Sequence, residues 1–197
     1  MFRKKNRFQE VHGATWAIYG PGEEARIGQF DPGDFILTKG SKWQNRLIRF
    51  GQSLRHRGRN RHYIRWTHAA LITSYDGELI EAVGTGVRRS HLSDYKDVEY
   101  RIVRLGQVAT LQDRLQMVKY AKWCLKEEYG YTIIFSIGFS LLTGGKFRFG
   151  FDGQAICSGL VARALERTNV IFDKSPSHIM PADLAKYFKV VDDWPVR

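Results

Sequence analysis

One cysteine of this chain lies where a polar loop is expected to turn into a helix. Cys157 follows the Gly-containing stretch "FDGQAI" and precedes apolar residues at helical spacing, namely Leu160, Val161, Ala164 and Leu165. A thiol at a helix N-terminus lies near free backbone N–H groups and the positive end of the helix dipole, both of which lower its pKa. Such a position suits a nucleophile, and it also suits a small buried residue that only packs.

The second cysteine, Cys124, lies in the middle of a predicted helix that begins at Thr110. Asp113 follows Thr110 by three residues, close to the pattern of a capping box. The apolar stripe of this helix is predicted to comprise Leu111, Leu115, Val118, Ala121 and Leu125. Cys124 lies beside the stripe, and we interpret it as a buried and inert thiol. Two cysteines without a short spacing argue against a disulfide framework and against a zinc site.

A cysteine nucleophile needs a base within hydrogen-bond reach, and the base needs a group that orients it. His68 begins the predicted strand "HAALI", and Glu81 lies in the predicted partner strand "ELIEAV". The two strands are joined across Asp76–Gly77, a strong hairpin turn. This turn leaves His68 and Glu81 offset along the hairpin, but able to meet if the loop is bulged. A carboxylate there would set the imidazole tautomer and favour the imidazolium.

The other five histidines are weaker candidates for the base. His91 follows the hairpin and is the reserve candidate. His56 and His62 lie in an Arg-rich loop, where we expect both rings to be solvated. His12 lies near the start of the chain and His178 lies in a late loop.

The order of the predicted elements indicates the fold class. A strand follows the turn "DPGD", a hairpin spans residues 67–83, and another strand spans residues 98–105. Helices are predicted in four places: from Trp43 to Leu54, from Thr110, around Cys157 and after Pro181. Strands followed by helices indicate an α+β fold with an antiparallel sheet packed against helices. We divide the chain into an N-terminal extension, residues 1–30, and a single domain, residues 31–197.

The chain is strongly basic, with a formal net charge of +11 over 197 residues. A basic surface attracts polyanions such as nucleic acid, anionic lipid or an acidic polymer. Between Asp34 and Asp76 there is no acidic residue, and the most basic part of this interval, Arg55–Arg65, is called the basic segment below. The segment is either a mobile, solvated loop or a contact for an anionic polymer or a membrane surface. In the second interpretation the contact is made by Arg55, Arg57, Arg59 and Arg61.

The sequence predicts a soluble protein of a reducing compartment, the cytoplasm. No signal peptide is recognisable, because no apolar core follows "MFRKKNRF". The most apolar stretch, Tyr131–Leu142, is shorter than a membrane span and contains serines and a glycine. We therefore expect this stretch to lie in the core, and we expect no transmembrane segment.

Three stretches, taken in order, resemble a known enzyme family. They are "DPGDFILTKG", "WTHAALITSYDGELIEAVGTGV" and "AICSGLVARAL". Together they resemble the permuted branch of the NlpC-type papain-like cysteine hydrolases, the YiiX-like group, which is related to the lecithin:retinol acyltransferase-like enzymes. In this branch the histidine strand precedes the cysteine helix, as it does here. The resemblance runs from about Asp31 to Tyr187 and implies a circularly permuted papain-like fold.

The resemblance also implies a role for particular residues. Cys157 would be the nucleophile, His68 its base, and Glu81 the third member that orients His68. The backbone N–H of Cys157 would help to form the oxyanion hole. Tyr187 would line the substrate site, and Gln154 would assist the oxyanion.

The implied chemistry is attack of a thiolate on an amide or ester carbonyl through an acyl-enzyme. Substrates of the family include peptides of the peptidoglycan type, other amides and lipid acyl groups. The chain would thus be a cysteine hydrolase, an amidase or peptidase, or a thiol acyltransferase, and it would need no cofactor and no metal. The alternative function is a module on the same fold that binds nucleic acid or anionic lipid through the basic segment.

Overall fold

Six antiparallel strands form one sheet in the part of the chain that the structure describes. The structure is a computed structural model, and it describes residues 13–39, 52–53, 56, 58–83, 86–126, 152–168, 170, 172–173 and 175–190. The strands are β1 (Thr15–Tyr19), β2 (Phe35–Thr38), β3 (His68–Ile72), β4 (Glu78–Val83), β5 (Gly86–His91) and β6 (Tyr100–Arg104). Their spatial order is β1-β6-β2-β3-β4-β5. Every neighbouring pair is antiparallel, which confirms the predicted α+β class and antiparallel sheet.

The α-helices whose bounds the structure describes follow the strands along the chain. The α-helices in the described ranges are α1 (Leu111–Lys126), α2 (Asp152–Leu165) and α3 (Pro181–Tyr187). Short 3-10 helices span Gly58–Arg65, Leu92–Tyr95, Gly106–Val108 and Pro176–His178. None of the helices within these ranges has the length and apolar character needed to cross a bilayer. The helix predicted from Trp43 falls almost entirely outside the described residues, and the apolar stretch Tyr131–Leu142 lies wholly outside them.

The sheet separates two hydrophobic clusters. On one face, Ala69, Leu71 and Ile80 pack with residues of α1, α2 and α3 in the larger cluster. On the other face, Ala70 and Leu79 belong to a smaller cluster that contains aromatic side chains of β1 and β6. Successive side chains of a strand point to opposite faces, so the alternation in β3 and β4 follows directly from their pleat. Helix α2 packs on β3 and β4, and this contact positions Cys157.

Strand β1 lies within the segment that the sequence assigned to an N-terminal extension. Its residues pair with β6 from Thr15 opposite Arg104 to Tyr19 opposite Tyr100. Trp16 of this strand is buried in the larger cluster. The sheet therefore reaches into residues 1–30, and the boundary at residue 31 does not mark its edge.

The turn before β2 contains a fully buried carboxylate, Asp34. Its Oδ1 accepts the backbone N–H of Leu105 at 2.9 Å and the guanidinium of Arg114 at 2.8 Å. Its Oδ2 accepts the backbone N–H of Asp31 at 2.8 Å. The side chain of Asp34 thus joins the "DPGD" turn to the end of β6 and to the first turns of α1.

Helix α1 buries part of the predicted stripe, namely Ala121 and in part Leu125, together with Met117 and Cys124, which the prediction left outside the stripe. Met117, Ala121 and Cys124 face the core, while Leu111 and Leu115 are 69% and 58% exposed. The sequence offers two apolar stripes on this helix, and the inward one follows i, i+4, i+7 spacing from Met117. The predicted burial of Leu111 and Leu115 is therefore wrong.

Candidate active site

His68 and Glu81 meet near the end of the β3–β4 hairpin. The pairs that define its register are Leu71 opposite Ile80 and Ile72 opposite Leu79. In this register His68 and Glu81 are diagonal neighbours on one face of the sheet, two residues from direct opposition. Diagonal neighbours lie within reach of long and aromatic side chains. Nε2 of His68 lies 2.5 Å from Oε2 of Glu81, so the two side chains are in contact.

Glu81 is a buried carboxylate held by three side chains. Its side chain is 1% exposed. Oε1 accepts from Nε of Arg88 at 2.9 Å and lies 2.8 Å from Nη2 of the same guanidinium. Arg88 lies directly opposite Glu81 on β5. Oε2 accepts from the Tyr95 hydroxyl as well as facing His68.

These donors decide the ionisation of Glu81. Burial alone would raise the pKa of the carboxyl, but the hydrogen bond and charge of His68, the Tyr95 hydroxyl and the Arg88 charge lower it to about 2. Glu81 is therefore ionised at any pH near neutrality, and its negative charge lies against the His68 ring.

Tyr95 is a site residue that sequence reasoning missed. It ends the 3-10 helix Leu92–Tyr95, whose start is capped by His91 and Asp94. Its ring stacks on the His68 ring, with centroids 6.4 Å apart and planes 12° apart. Burial and the Glu81 charge raise the pKa of the Tyr95 hydroxyl, so it remains a proton donor. The capping pattern of "HLSDY" indicates the turn, but no spacing rule connects Tyr95 with Glu81.

Cys157 approaches the same group from the other side of the sheet. The Cys157 side chain is buried, at 4% exposure, and its thiol hydrogen-bonds the His68 ring. Because Nε2 of His68 faces Glu81, Nδ1 is the ring nitrogen that remains for the hydrogen bond with the Cys157 thiol. The backbone N–H groups of Ala69 and Ser158 also point to the sulfur. The thiol thus lies beyond the last β3–β4 pair, Leu71 with Ile80, at the N-terminal end of β3.

The thiol and the imidazole shift each other's ionisation. Burial opposes the charged form of each group. For Cys157, the charge and hydrogen bond of His68 outweigh burial, the two backbone N–H groups add to them, and the pKa falls below its ordinary value. For His68, the thiolate charge and the contacts with Glu81 outweigh burial and raise the pKa to about 10. The favoured state is a thiolate–imidazolium ion pair beside an ionised carboxylate.

One predicted feature of Cys157 is wrong. Helix α2 begins at Asp152, so Cys157 is its sixth residue and not its first. The oxyanion role that the resemblance implies for the backbone N–H of Cys157 stays a prediction. The helix start was misplaced because Gly153 was interpreted as part of a loop, whereas glycine is tolerated in a first turn. His68, and not a helix N-terminus, is the main stabiliser of the thiolate.

The two predicted substrate residues are not joined to this group by the described contacts. Tyr187 ends α3, and its ring packs against Phe172 and Phe188 with centroids 5.1 Å and 5.0 Å away. Gln154 lies in the first turn of α2, but its side chain is outside the described part of the chain. Both assignments stay predictions.

The reserve base, His91, is committed elsewhere. Its Nδ1 lies 2.8 Å from the Ser93 hydroxyl and its Nε2 lies 2.8 Å from the carbonyl oxygen of Asp76. The ring therefore holds the β3–β4 turn against the 3-10 helix Leu92–Tyr95.

The second thiol is buried in the core, as predicted. Cys124 is 3% exposed and hydrogen-bonds the Tyr120 side chain. Burial raises the pKa of Cys124, so its thiol is much less reactive than a free one. The two cysteines of the chain thus have opposite pKa shifts.

The basic segment is partly described and differs from a mobile loop. Its residues from Gly58 to Arg65 form a 3-10 helix that packs on α3. Arg61 and His62 on this helix are exposed, as a polyanion contact requires. Arg55 and Arg57 lie outside the described residues, as does the side chain of Arg59.

His56 was expected to be solvated, and this expectation is wrong. The residue is 6% exposed, and its Nε2 lies 3.4 Å from Oδ1 of Asp183. Sequence proximity to arginines placed it in the solvent, whereas packing against α3 buries it.

Comparisons with known proteins identify neither a family nor a relative for this chain. No family model matches the chain, and neither a curated protein nor a solved structure matches it. Among the described residues, no cluster of three or more histidine, cysteine or acidic side chains is suited to hold a metal ion. The chemistry of the site must therefore be argued from its own residues.

Proposed function

We propose that this protein is a thiol-dependent hydrolase with a circularly permuted papain-like fold of the YiiX-like type, acting on an amide or acyl ester bond. One observation carries the proposal: the His68 ring contacts the Cys157 thiol on one side and the Glu81 carboxylate on the other. A nucleophile, a base and an orienting carboxylate in one line are the parts that covalent acyl transfer needs. The order of these residues along the chain agrees with the permuted family.

In the first half-reaction the Cys157 thiolate attacks the substrate carbonyl carbon. A carbon–sulfur bond forms, and the carbonyl electron pair moves to oxygen to give a tetrahedral oxyanion. The oxyanion collapses, the bond to the leaving nitrogen or oxygen breaks, and the His68 imidazolium gives its proton to the leaving group. Glu81 holds the ring in place and stabilises its charge until that proton leaves.

In the second half-reaction the neutral His68 ring takes a proton from water. The resulting hydroxide attacks the thioester carbonyl, the carbon–sulfur bond breaks, and the thiolate and imidazolium are restored. An amine or alcohol in place of water would make the same site an acyltransferase. Peptides, peptidoglycan-type peptides and acyl lipids all contain the bonds that this sequence of steps would cleave.

The direct test is a panel of activated esters and amides followed by intact mass. We expect the wild-type protein to gain the mass of one acyl group and to turn over, and Cys157→Ala to do neither. Cys124→Ala is the matched control, because it removes the other buried thiol and should keep both signals. Acylation and turnover that persist unchanged in a folded Cys157→Ala protein would refute the proposal.

A further inference from the structure

The outer side of α1 carries an exposed apolar surface. Five large hydrophobic side chains are exposed among the described residues, and three of them lie on this one helix. Leu111 is 69% exposed, Leu115 58% and Trp123 46%. Leu115 follows Leu111 by about one turn and Trp123 follows Leu115 by about two turns, so the three lie along one broad side of the helix. An exposed apolar patch on a protein surface often marks a site of contact with another protein or with a membrane.

Cationic side chains lie among these apolar residues and beside them. Lys119 and Lys122 on α1 are exposed. The guanidinium of Arg167 lies 4.1 Å from the centroid of the Tyr120 ring, and that ring stacks with Trp123 at 6.3 Å. Beside Leu115 runs a groove whose described lining residues include two cations and no carboxylate, namely Gln112, Leu115, Gln116, Lys119, Tyr120, Trp123 and Arg167. The exposed side of α1 thus carries apolar and cationic side chains next to one another.

We propose that this face of α1, formed by Leu111, Leu115, Lys119, Lys122 and Trp123, docks on the surface of an anionic lipid membrane. The helix would lie in the plane of the interface, with its leucines among the acyl chains and its lysines at the lipid phosphates. Tryptophan is enriched at the boundary between acyl chains and headgroups because its ring is apolar and its N–H is polar.

Charge argues against the other occupants. A second copy of a chain with a net charge of +11 would bring the same cationic side chains against this face, and the two sets would repel. Nucleic acid would satisfy the lysines but would leave exposed leucines without apolar partners. The proposal is independent of the thiol chemistry, and it uses a surface other than the basic segment.

The test is flotation of the full chain with vesicles of phosphatidylcholine and phosphatidylglycerol, compared with vesicles of phosphatidylcholine alone. We expect binding to the anionic vesicles only. The double variant Leu111→Ser/Leu115→Ser and the double variant Lys119→Glu/Lys122→Glu should each bind at least about tenfold more weakly. Ile27→Ser, at an exposed isoleucine elsewhere, and Lys96→Glu, at an exposed lysine, are the matched controls and should bind as the wild type does.

The depth of α1 gives a second readout. Lipids brominated on their acyl chains should quench wild-type tryptophan emission, and Trp123→Phe should lose most of that quenching. The proposal is overturned if wild-type protein does not float with anionic vesicles, or if the leucine variant binds as well as the wild type. It is also overturned if Leu111→Ser/Leu115→Ser weakens self-association of the protein and leaves vesicle binding unchanged, because a second copy would then cover this face.

Discussion

Nε2 of His68 lies 2.5 Å from Oε2 of Glu81, although the two residues are diagonal neighbours in the register of β3 and β4. The contact is possible because Glu81 is already held by Arg88 of β5 and by the Tyr95 hydroxyl. The carboxylate thus has a fixed position from which it orients the ring. The opposite side of the ring receives the Cys157 thiol from α2.

The first prediction concerns the reactivity of Cys157. Iodoacetamide should alkylate it, by intact mass and peptide mapping, with a pH midpoint below the ordinary thiol pKa of about 8.5. In His68→Ala the imidazolium is gone while burial remains, so the midpoint should rise above that value. The rate at neutral pH should then fall at least about tenfold, because each pKa unit is a factor of ten in thiolate.

Cys124 is the internal control for this measurement. Its pKa is raised by burial, so it should react slowly and with the same profile in both proteins. A Cys157 profile that is identical in wild type and in His68→Ala would show that the ring does not control the thiol, and would remove the basis of the proposed mechanism.

The hairpin and its two polar residues could be predicted from sequence because their signals are local. Asp76–Gly77 marks the turn, and the apolar run after His68 marks a buried strand. The exact register could not be predicted, since a shift of the turn by one residue changes every opposite pair. The sequence therefore left His68 and Glu81 offset, and the structure places them diagonally.

The remaining parts of the site depend on tertiary packing. Arg88 and Tyr95 reach Glu81 only after β5 has paired with β4 and the following chain has turned back. The burial of His56 and the choice between two apolar stripes on α1 are likewise decided by neighbours that are distant in sequence. The start of α2 was misplaced because a glycine near a helix end has two interpretations, loop or first turn.

The second prediction concerns stability and pH. The pKa of Glu81 is about 2 in the folded protein, below its ordinary value of 4.5. Its ionised form therefore adds stability that is fully present above pH 4.5 and is lost as the pH falls through about 2. Glu81→Gln should lower the free energy of unfolding at neutral pH by on the order of 3 kcal/mol, and the difference should shrink in acid.

Urea denaturation of both proteins across acidic and neutral pH measures this difference. Glu78→Gln is the matched control, because Glu78 lies on the same strand with a side chain that is 28% exposed. Its loss should cost less than about 1 kcal/mol. A Glu81→Gln protein whose deficit does not change with pH would mean that the carboxylate charge is not what stabilises the fold.

The third prediction treats Tyr95 as a positioning residue. Tyr95→Phe keeps the ring that stacks on His68 but removes the hydroxyl that donates to Glu81. The pKa of Glu81 should rise, and the pH profile of Cys157 alkylation should differ from that of the wild type, because the carboxylate that holds the His68 ring loses one of the donors that fix it. Tyr75→Phe, at a tyrosine that is 60% exposed, should leave the profile unchanged.

If Tyr95→Phe has the same alkylation profile as Tyr75→Phe, the hydroxyl contact does not influence the reacting groups.

Tyr187→Phe tests whether Tyr187 lines the substrate site. If it does, the variant should have a higher KM in the turnover assay and an unchanged alkylation profile.

The fourth prediction concerns Asp34, whose carboxylate joins the "DPGD" turn to the end of β6 and to α1. Asp34→Ala would leave the Arg114 guanidinium without its carboxylate partner and the buried N–H of Leu105 without its acceptor. Removing one partner of a buried ion pair typically costs about 3 to 5 kcal/mol, and we expect a loss of that size in urea or thermal unfolding. Asp31→Ala is the control, because its carboxylate is 47% exposed and lies 3.8 Å from Arg104, so its loss should cost less than about 1 kcal/mol. Equal stability of the two variants would contradict the structural role of Asp34.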